Sequence, residues 1–128
     1  MEESDSINID IYQIDYANVE YNLESTEELS EVFIQKIEKL KYNLNKAIEK
    51  RESRTTYVIN QDIEHFSQCA SIFLTNWQNS LKIRSESDDI SIDIETNSIR
   101  LFEEALNSFY QYVKTCNQLI HEIIHFRF

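Results

Sequence analysis

Apolar side chains recur along three stretches of the chain in alternating steps of three and four residues, the spacing of one face of an α-helix. The stripes are Phe33, Ile37, Leu40, Leu44 and Ala47; Ile59, Ile63, Phe66, Ala70, Phe73, Trp77 and Leu81; and Phe102, Leu106, Phe109, Val113, Cys116, Ile120 and Ile123. Because each stripe would give a helix one continuous apolar face, the pattern predicts helices over residues 26–52, 57–83 and 96–126.

Polar linkers lie between the predicted helices and set the expected architecture. The segments RESRTTY and RSESDDISIDI separate the stripes, and STEE precedes the first of them. In STEE, Ser25 and Glu28 have the spacing of a capping box, which predicts that the first helix begins directly after Ser25. The sequence therefore predicts an all-α fold: an antiparallel bundle of three long helices, preceded by a short N-terminal element in residues 1–24. We expect residues 1–128 to form a single domain.

The N-terminal element supports two interpretations. The words INIDI (residues 7–11) and ISIDI (residues 90–94) are near-copies that alternate as strands do, so they could pair as a minor two-stranded β element beside the helices. By contrast, Tyr12, Tyr16, Val19 and Leu23 have helical spacing and indicate a short fourth helix. The sequence alone leaves both alternatives open.

Composition excludes several classes of protein. The chain has neither glycine nor proline, so it lacks the glycine-rich loops that cradle phosphates or dinucleotides, and tight type I′ or II′ turns must rely on Asn or Asp. No apolar run approaches the roughly 20 residues that span a bilayer. The two cysteines fit reduced thiols of a cytoplasmic protein, and the excess of Ile, Asn, Lys, Tyr and Phe is typical of a low-GC bacterium or phage.

Charge is distributed unevenly along the chain, whose net charge is −11. Residues 1–35 hold ten acids and no base, and residues 85–104 hold seven acids and one arginine. Such acidic blocks argue against nucleic acid or an anionic membrane as the partner and favour a protein with a basic surface. The candidate partner-binding residues are Asp5, Asp10, Tyr12, Asp15, Tyr16, Asp88, Asp89 and Asp93. Alternatively, these acids only keep the protein soluble, and the tyrosines pack the first segment onto the bundle.

The C-terminal stretch LIHEIIHFRF contains a His-Glu-x-x-His motif in His121, Glu122 and His125. In these five residues the chain resembles the zinc-peptidase helix, whose histidines bind zinc and whose glutamate is the general base. It departs from that family because only residues 126–128 follow, where the third ligand should lie. A second zinc hypothesis combines His65 and Cys69 with His121 and His125 as a closed tetrahedral site. The interpretation that we favour is exposed histidines near a helix end, without a cofactor.

No arrangement of nucleophile, base or paired acids indicates catalysis, so we expect a protein that is not an enzyme. The first hypothesis is an inhibitor-like or immunity-like module that binds a basic protein. The second is a helical-hairpin partner of a secretion system, because NWQNS around Trp77 resembles the Trp-x-Gly turn of small type VII secreted proteins, with Asn79 in place of glycine. The third is a structural zinc protein. Helices with long heptad stripes also pair readily, so the sequence permits a homodimer as well as a monomer.

Overall fold

Three α-helices contain most of the residues that the structure, a computed structural model, describes; these residues are 9–85 and 90–125. The helices are α1 (Leu23–Glu49), α2 (Ser53–Arg84) and α3 (Ile90–His125). Each helix contacts both of the others, so the predicted all-α helical bundle is confirmed. All three helices begin several residues earlier than the apolar stripes indicated, because polar residues such as Ser53 and Glu95 continue the helical turns beyond the stripes.

The start of α1 differs from the predicted capping box. Asn22, not Ser25, is the N-cap: its side-chain oxygen accepts a hydrogen bond from the Ser25 backbone N–H at 2.9 Å. The Ser25 hydroxyl in turn accepts from the Asn22 backbone N–H at 3.3 Å. The reciprocal bonds of a capping box are therefore present, three residues upstream of the predicted position, since an asparagine side chain caps as well as a serine.

The connection between α1 and α2 places Arg51 in the left-handed region, with φ of 51°. Its backbone N–H donates to the Ile48 carbonyl, and the Glu52 N–H donates to the Ala47 carbonyl, each at 3.1 Å. A left-handed residue after a helix end closes such bonds, and glycine usually fills the position. The chain uses an arginine, at a conformational cost of roughly 1–2 kcal/mol.

The three predicted stripes form most of the core, and Ile11 and Tyr16 of the N-terminal segment add to it. Phe33, Phe66, Phe73, Trp77 and Phe109 are all fully buried or nearly so. The Phe33 ring stacks on Phe73 with centroids 5.1 Å apart, and Phe66 meets Phe109 edge-on at 5.5 Å. Aromatic pairs at such separations stabilise a core beyond their area alone. The side chains of Ile120 and Ile123, at the end of the third stripe, lie outside the described part.

The N-terminal segment, residues 9–22, forms neither a fourth α-helix nor a strand. It contains two short 3-10 turns, Ile11–Gln13 and Tyr16–Asn18, whose N-caps are Asp10 and Asp15. Residues 90–94 belong to the beginning of α3, so the two-stranded element is not confirmed, and the described residues contain no strand. The turns follow a five-residue repeat, in which an acid precedes a core residue. That repeat fits neither the helical nor the strand period, which explains the ambiguity.

Tyrosine hydroxyls fix this segment along the bundle. The Tyr16 hydroxyl donates to the Ile11 carbonyl and the Tyr21 hydroxyl donates to the Tyr16 carbonyl, both at 2.8 Å and both five residues back. From α2, the Asn76 side-chain amide also donates to the Tyr16 carbonyl, at 3.2 Å. The segment therefore lies along α2, while its rings reach Phe33 of α1.

Candidate protein-binding site

An open groove of about 640 Å³ lies between α1 and α3, and we call it the α1–α3 groove. Four glutamates of α1 line it together with apolar side chains from both helices. Its lining residues are Glu24, Glu27, Glu28, Ser30, Glu31 and Ile34 of α1, and Ser98, Leu101 and Phe102 of α3. The groove therefore combines four carboxylates with an apolar floor.

The helical period of α1 explains why the carboxylates gather at this groove. At about 100° per residue, Glu24, Glu27 and Glu31 fall within roughly 60° of one another on the flank next to α3. Two lysines of α1 face α2 instead: Lys36 lies 3.4 Å from Asp62, and Lys46 lines a pocket between α1 and α2. Lys41 differs from these two, since its ammonium lies over the Tyr112 ring of α3 at 5.4 Å. The acidic face is thus a property of the first half of α1.

The other rim of the groove is apolar. Ile94 and Leu101 of α3 are 50% and 52% exposed, although the neighbouring stripe of the same helix is buried. Their seven-residue separation places both on one flank of α3, and of the two only Leu101 lines the groove. Leu119, which is 42% exposed, falls on the same flank further along. This second stripe was not predicted, and the signal for it was the heptad step from Ile94 to Leu101.

The acids that we singled out from the sequence do not gather on one face. Asp10 and Asp15 are exposed and cap the 3-10 turns, and Asp93 is exposed in the first turn of α3. Along the axis of α2, Asp10 lies near Asp62, because Tyr12, two residues after Asp10, donates its hydroxyl to Asp62. Asp93 lies near Arg84, because Glu95, two residues after Asp93, accepts from Arg84. At 1.5 Å per residue these two positions are about 33 Å apart along α2. Asp5, Asp88 and Asp89 lie outside the described residues.

The two tyrosines named with those acids hold the N-terminal segment in place. The Tyr12 hydroxyl donates to an Asp62 carboxylate oxygen at 2.5 Å, and its ring stacks on His65 with centroids 4.2 Å apart. Burial, then the hydrogen bond to Asp62, raises the pKa of Tyr12. Tyr16 is only 7% exposed, and burial likewise raises its pKa. Tyr16 therefore belongs to the core rather than to an exposed binding surface.

Sequence reasoning missed a buried carboxylate. Glu95 is fully buried, and it accepts hydrogen bonds from Trp77 Nε1 at 2.8 Å and from two Arg84 guanidinium nitrogens at 3.0 and 2.6 Å. The hydrogen bond to Glu95 raises the pKa of Arg84. Glu95 continues the α3 stripe through Ile99 to Phe102 in steps of four and three, and this spacing was the available signal. The contact joins α2 to α3 and does not face the α1–α3 groove.

The structure does not assemble the predicted zinc ligands. His65 stacks on Tyr12, and Cys69 is buried, which raises the pKa of its thiol. Phe66, the neighbour of His65 in sequence, contacts Phe109 of α3. His121 lies twelve residues beyond Phe109, which is about 18 Å along the helix, so His65 and His121 are far apart. The side chain of His125 is outside the described part. Across residues 9–85 and 90–125, no group of three or more His, Cys, Asp or Glu side chains could hold a metal ion.

Two further observations bear on the alternatives. Trp77 lies within α2 and is fully buried, so the tryptophan of NWQNS is not at a turn between helices. Within the described ranges, no helix has the length and apolar character needed to cross a membrane.

Comparison with known proteins finds no matching protein family, no similar curated protein and no similar solved structure. The functional conclusion therefore depends on the geometry of the chain itself.

Proposed function

We propose that this chain is a non-enzymatic protein-binding module, inhibitor-like or immunity-like, which presents an acidic surface to a basic protein partner. The observation that supports this function is the α1–α3 groove, where four glutamates surround an apolar floor. A concave surface with carboxylates on one side and half-exposed Leu101 on the other offers both charge complementarity and desolvation to a partner.

The electrostatic part of the proposal has a direct physical basis. Clustered charges of one sign raise the rate at which an oppositely charged protein is encountered, and they disfavour acidic competitors. All four glutamates of the groove are exposed, so they can meet a partner's cations without first leaving a buried environment. The apolar floor then adds affinity that salt does not screen.

We further infer that the bundle is antiparallel, with α2 running opposite to α1 and α3. Between α2 and α3 the contacting pairs are Arg84 with Glu95, Phe73 with Phe102, and Phe66 with Phe109. Between α1 and α3 they are Glu27 with Ser98, Phe33 with Phe102, and Lys41 with Tyr112. Residue numbers fall along α2 as they rise along α3, but they rise together along α1 and α3. This order supports an up-down-up topology, in which the α1–α3 groove would lie between parallel helices.

The test is affinity capture from a cell extract with immobilised protein, followed by quantitative mass spectrometry. We expect the wild type to retain basic proteins that the variant Glu28→Lys/Glu31→Lys loses, because the field at the groove is reversed. The matched control is Glu64→Lys, which changes an exposed glutamate of α2 away from the groove. Retention should also fall when salt is raised to about 1 M, where the screening length shrinks to roughly 3 Å. Equal capture by both variants would contradict the proposal.

A further inference from the structure

We infer that the α1–α3 groove receives a basic amphipathic helix of the partner protein, which lies between α1 and α3 as a fourth helix of the bundle. This inference rests on the proposed function and specifies the chemistry of the partner. An amphipathic helix in a groove is a recurring mode of recognition, with apolar anchors spaced three, four and seven residues apart.

The spacing of the groove residues matches that of a helix on both rims. On α3, Leu101 and Phe102 follow Ser98 by three and four residues and line the groove with it. On α1, Glu24, Glu28 and Glu31 are spaced by four and three residues and line the same groove. Side chains at this spacing repeat along a helix axis at about 5 Å per turn, as do the side chains of a helix docked alongside.

The separation of apolar and acidic rims sets the orientation of the occupant. Leucine-like side chains of the docked helix would pack over Leu101 and Ile34, while lysine or arginine on the adjacent flank would meet Glu28 and Glu31. Arginine suits the carboxylates best because its guanidinium binds two oxygens at once. A helix that is basic on all sides would bind only the acidic rim, and a helix that is apolar on all sides would pack only on the apolar rim.

Charge also argues against a second copy of this chain as the occupant. If two copies met groove to groove, their glutamates would face one another, and like charges in contact cost several kcal/mol. Two lysines of α1 that could neutralise them face α2 instead: Lys36 pairs with Asp62, and Lys46 lines a pocket with Thr55 and Ile59 of α2. The N-terminal segment, for its part, lies along α2 and is not among the residues that line the groove.

The experiment measures binding of a synthetic helical peptide of about 18 residues, which is five turns. One peptide has leucines at helical spacing with lysines and arginines on the adjacent flank. A second has the same composition in scrambled order, and a third has glutamate in place of every base. We expect the first peptide to bind the wild type in fluorescence anisotropy and to gain helicity on binding. The scrambled and acidic peptides should bind much more weakly.

Variants of the protein locate the binding site. Glu27→Gln/Glu28→Gln/Glu31→Gln should weaken peptide binding about three- to tenfold, since each exposed charge pair contributes only modestly. Leu101→Asp should abolish the binding, because it places a charge in the apolar rim. The matched control is Ile72→Asp: Ile72 is 49% exposed on α2, close to the exposure of Leu101, and its replacement should leave binding unchanged. Circular dichroism verifies that every variant keeps the helical fold.

The outcomes distinguish this inference from the proposed function. Equal binding of the ordered and scrambled peptides would overturn the helical occupant, and so would equal loss with Leu101→Asp and Ile72→Asp. If capture of basic proteins still depends on Glu28 and Glu31, the proposed function survives that result; if neither assay responds to the groove, both fail. Sedimentation of the protein alone tests the second copy: a dimer abolished by Leu101→Asp would assign the groove to self-association and overturn the inference.

Discussion

Replacement of Arg84 by methionine should be the most informative test of the packing between α2 and α3. The substitution keeps much of the apolar stem of the side chain and removes the guanidinium. The fully buried Glu95 would then keep its hydrogen bond from Trp77 but lose its hydrogen-bonded cation. A buried carboxylate without its cation is strongly unfavourable, so the free energy of unfolding should fall.

The magnitude follows from the two hydrogen bonds that Arg84 donates to Glu95, at 3.0 and 2.6 Å. A hydrogen bond to a charged group contributes about 1.5–3 kcal/mol, so two give an upper bound of about 3–6 kcal/mol. The Arg84 side chain is 32% exposed, and water can therefore replace part of the lost interaction. With that discount for solvent, we expect a loss of about 2–4 kcal/mol.

Urea denaturation measures this loss, and the chain contains its own probe. Trp77 is the single tryptophan, and it touches Glu95 directly, so its fluorescence reports the cluster while circular dichroism reports the helices. The companion variant Arg84→Met/Glu95→Gln removes the buried charge but keeps an acceptor for Trp77, and it should be more stable than Arg84→Met alone. A loss below about 1 kcal/mol, the size of ordinary surface effects, would refute the reasoning. Failure of Glu95→Gln to restore stability would refute it as well.

Three further substitutions test other parts of the fold. Phe109→Ala should lower the free energy of unfolding by about 3–5 kcal/mol, measured by urea denaturation, because the ring is 1% exposed and leaves a cavity. Arg51→Gly should shift the thermal midpoint upward, with a gain of at most about 1 kcal/mol, because glycine tolerates positive φ but also gains freedom in the unfolded chain. The wild type should lose stability above pH 10.0, where Tyr16 ionises in the unfolded chain before it does in the folded one, since its folded pKa is raised. Tyr16→Phe should cost about 0.5–1.5 kcal/mol at neutral pH and reduce that alkaline loss in a series of denaturation curves, while the raised pKa of Tyr12 maintains part of it.

The buried stripes were predictable because a helix that buries one face needs apolar residues every three or four positions, and that spacing is visible in the sequence. Phe33, Phe66 and Phe109 all lie where the spacing placed them. Glu95 has the same spacing. A buried carboxylate, however, is stable only when a cation binds it, and here that cation is Arg84 of another helix. Such a pair is defined by the register between α2 and α3, which a single sequence does not display.

The α1–α3 groove was unpredictable for a related reason. Charge counts indicated an acidic block over residues 1–35, and Glu24, Glu27 and Glu31 are part of it. Which surface those acids share depends on the rotation of α1 about its axis and on the neighbour at that flank. The emphasis on Asp10 and Asp93 assumed that two similar words would lie side by side, and similarity between short segments carries no such geometric information.

The tyrosine bonds of the N-terminal segment have a consequence for local opening of the protein. Tyr16 and Tyr21 each donate to a carbonyl five residues earlier, so the backbone of this segment is held by side chains and not by a regular ladder. Release of Tyr21 leaves the Tyr16 carbonyl with only the weaker hydrogen bond from Asn76, and release of Tyr16 frees the Ile11 carbonyl. Loosening should therefore spread along residues 11–21 as one unit while α1, α2 and α3 stay folded. Amide hydrogen exchange would then be uniformly faster in this segment than in the helices, with similar opening energies from one turn to the next.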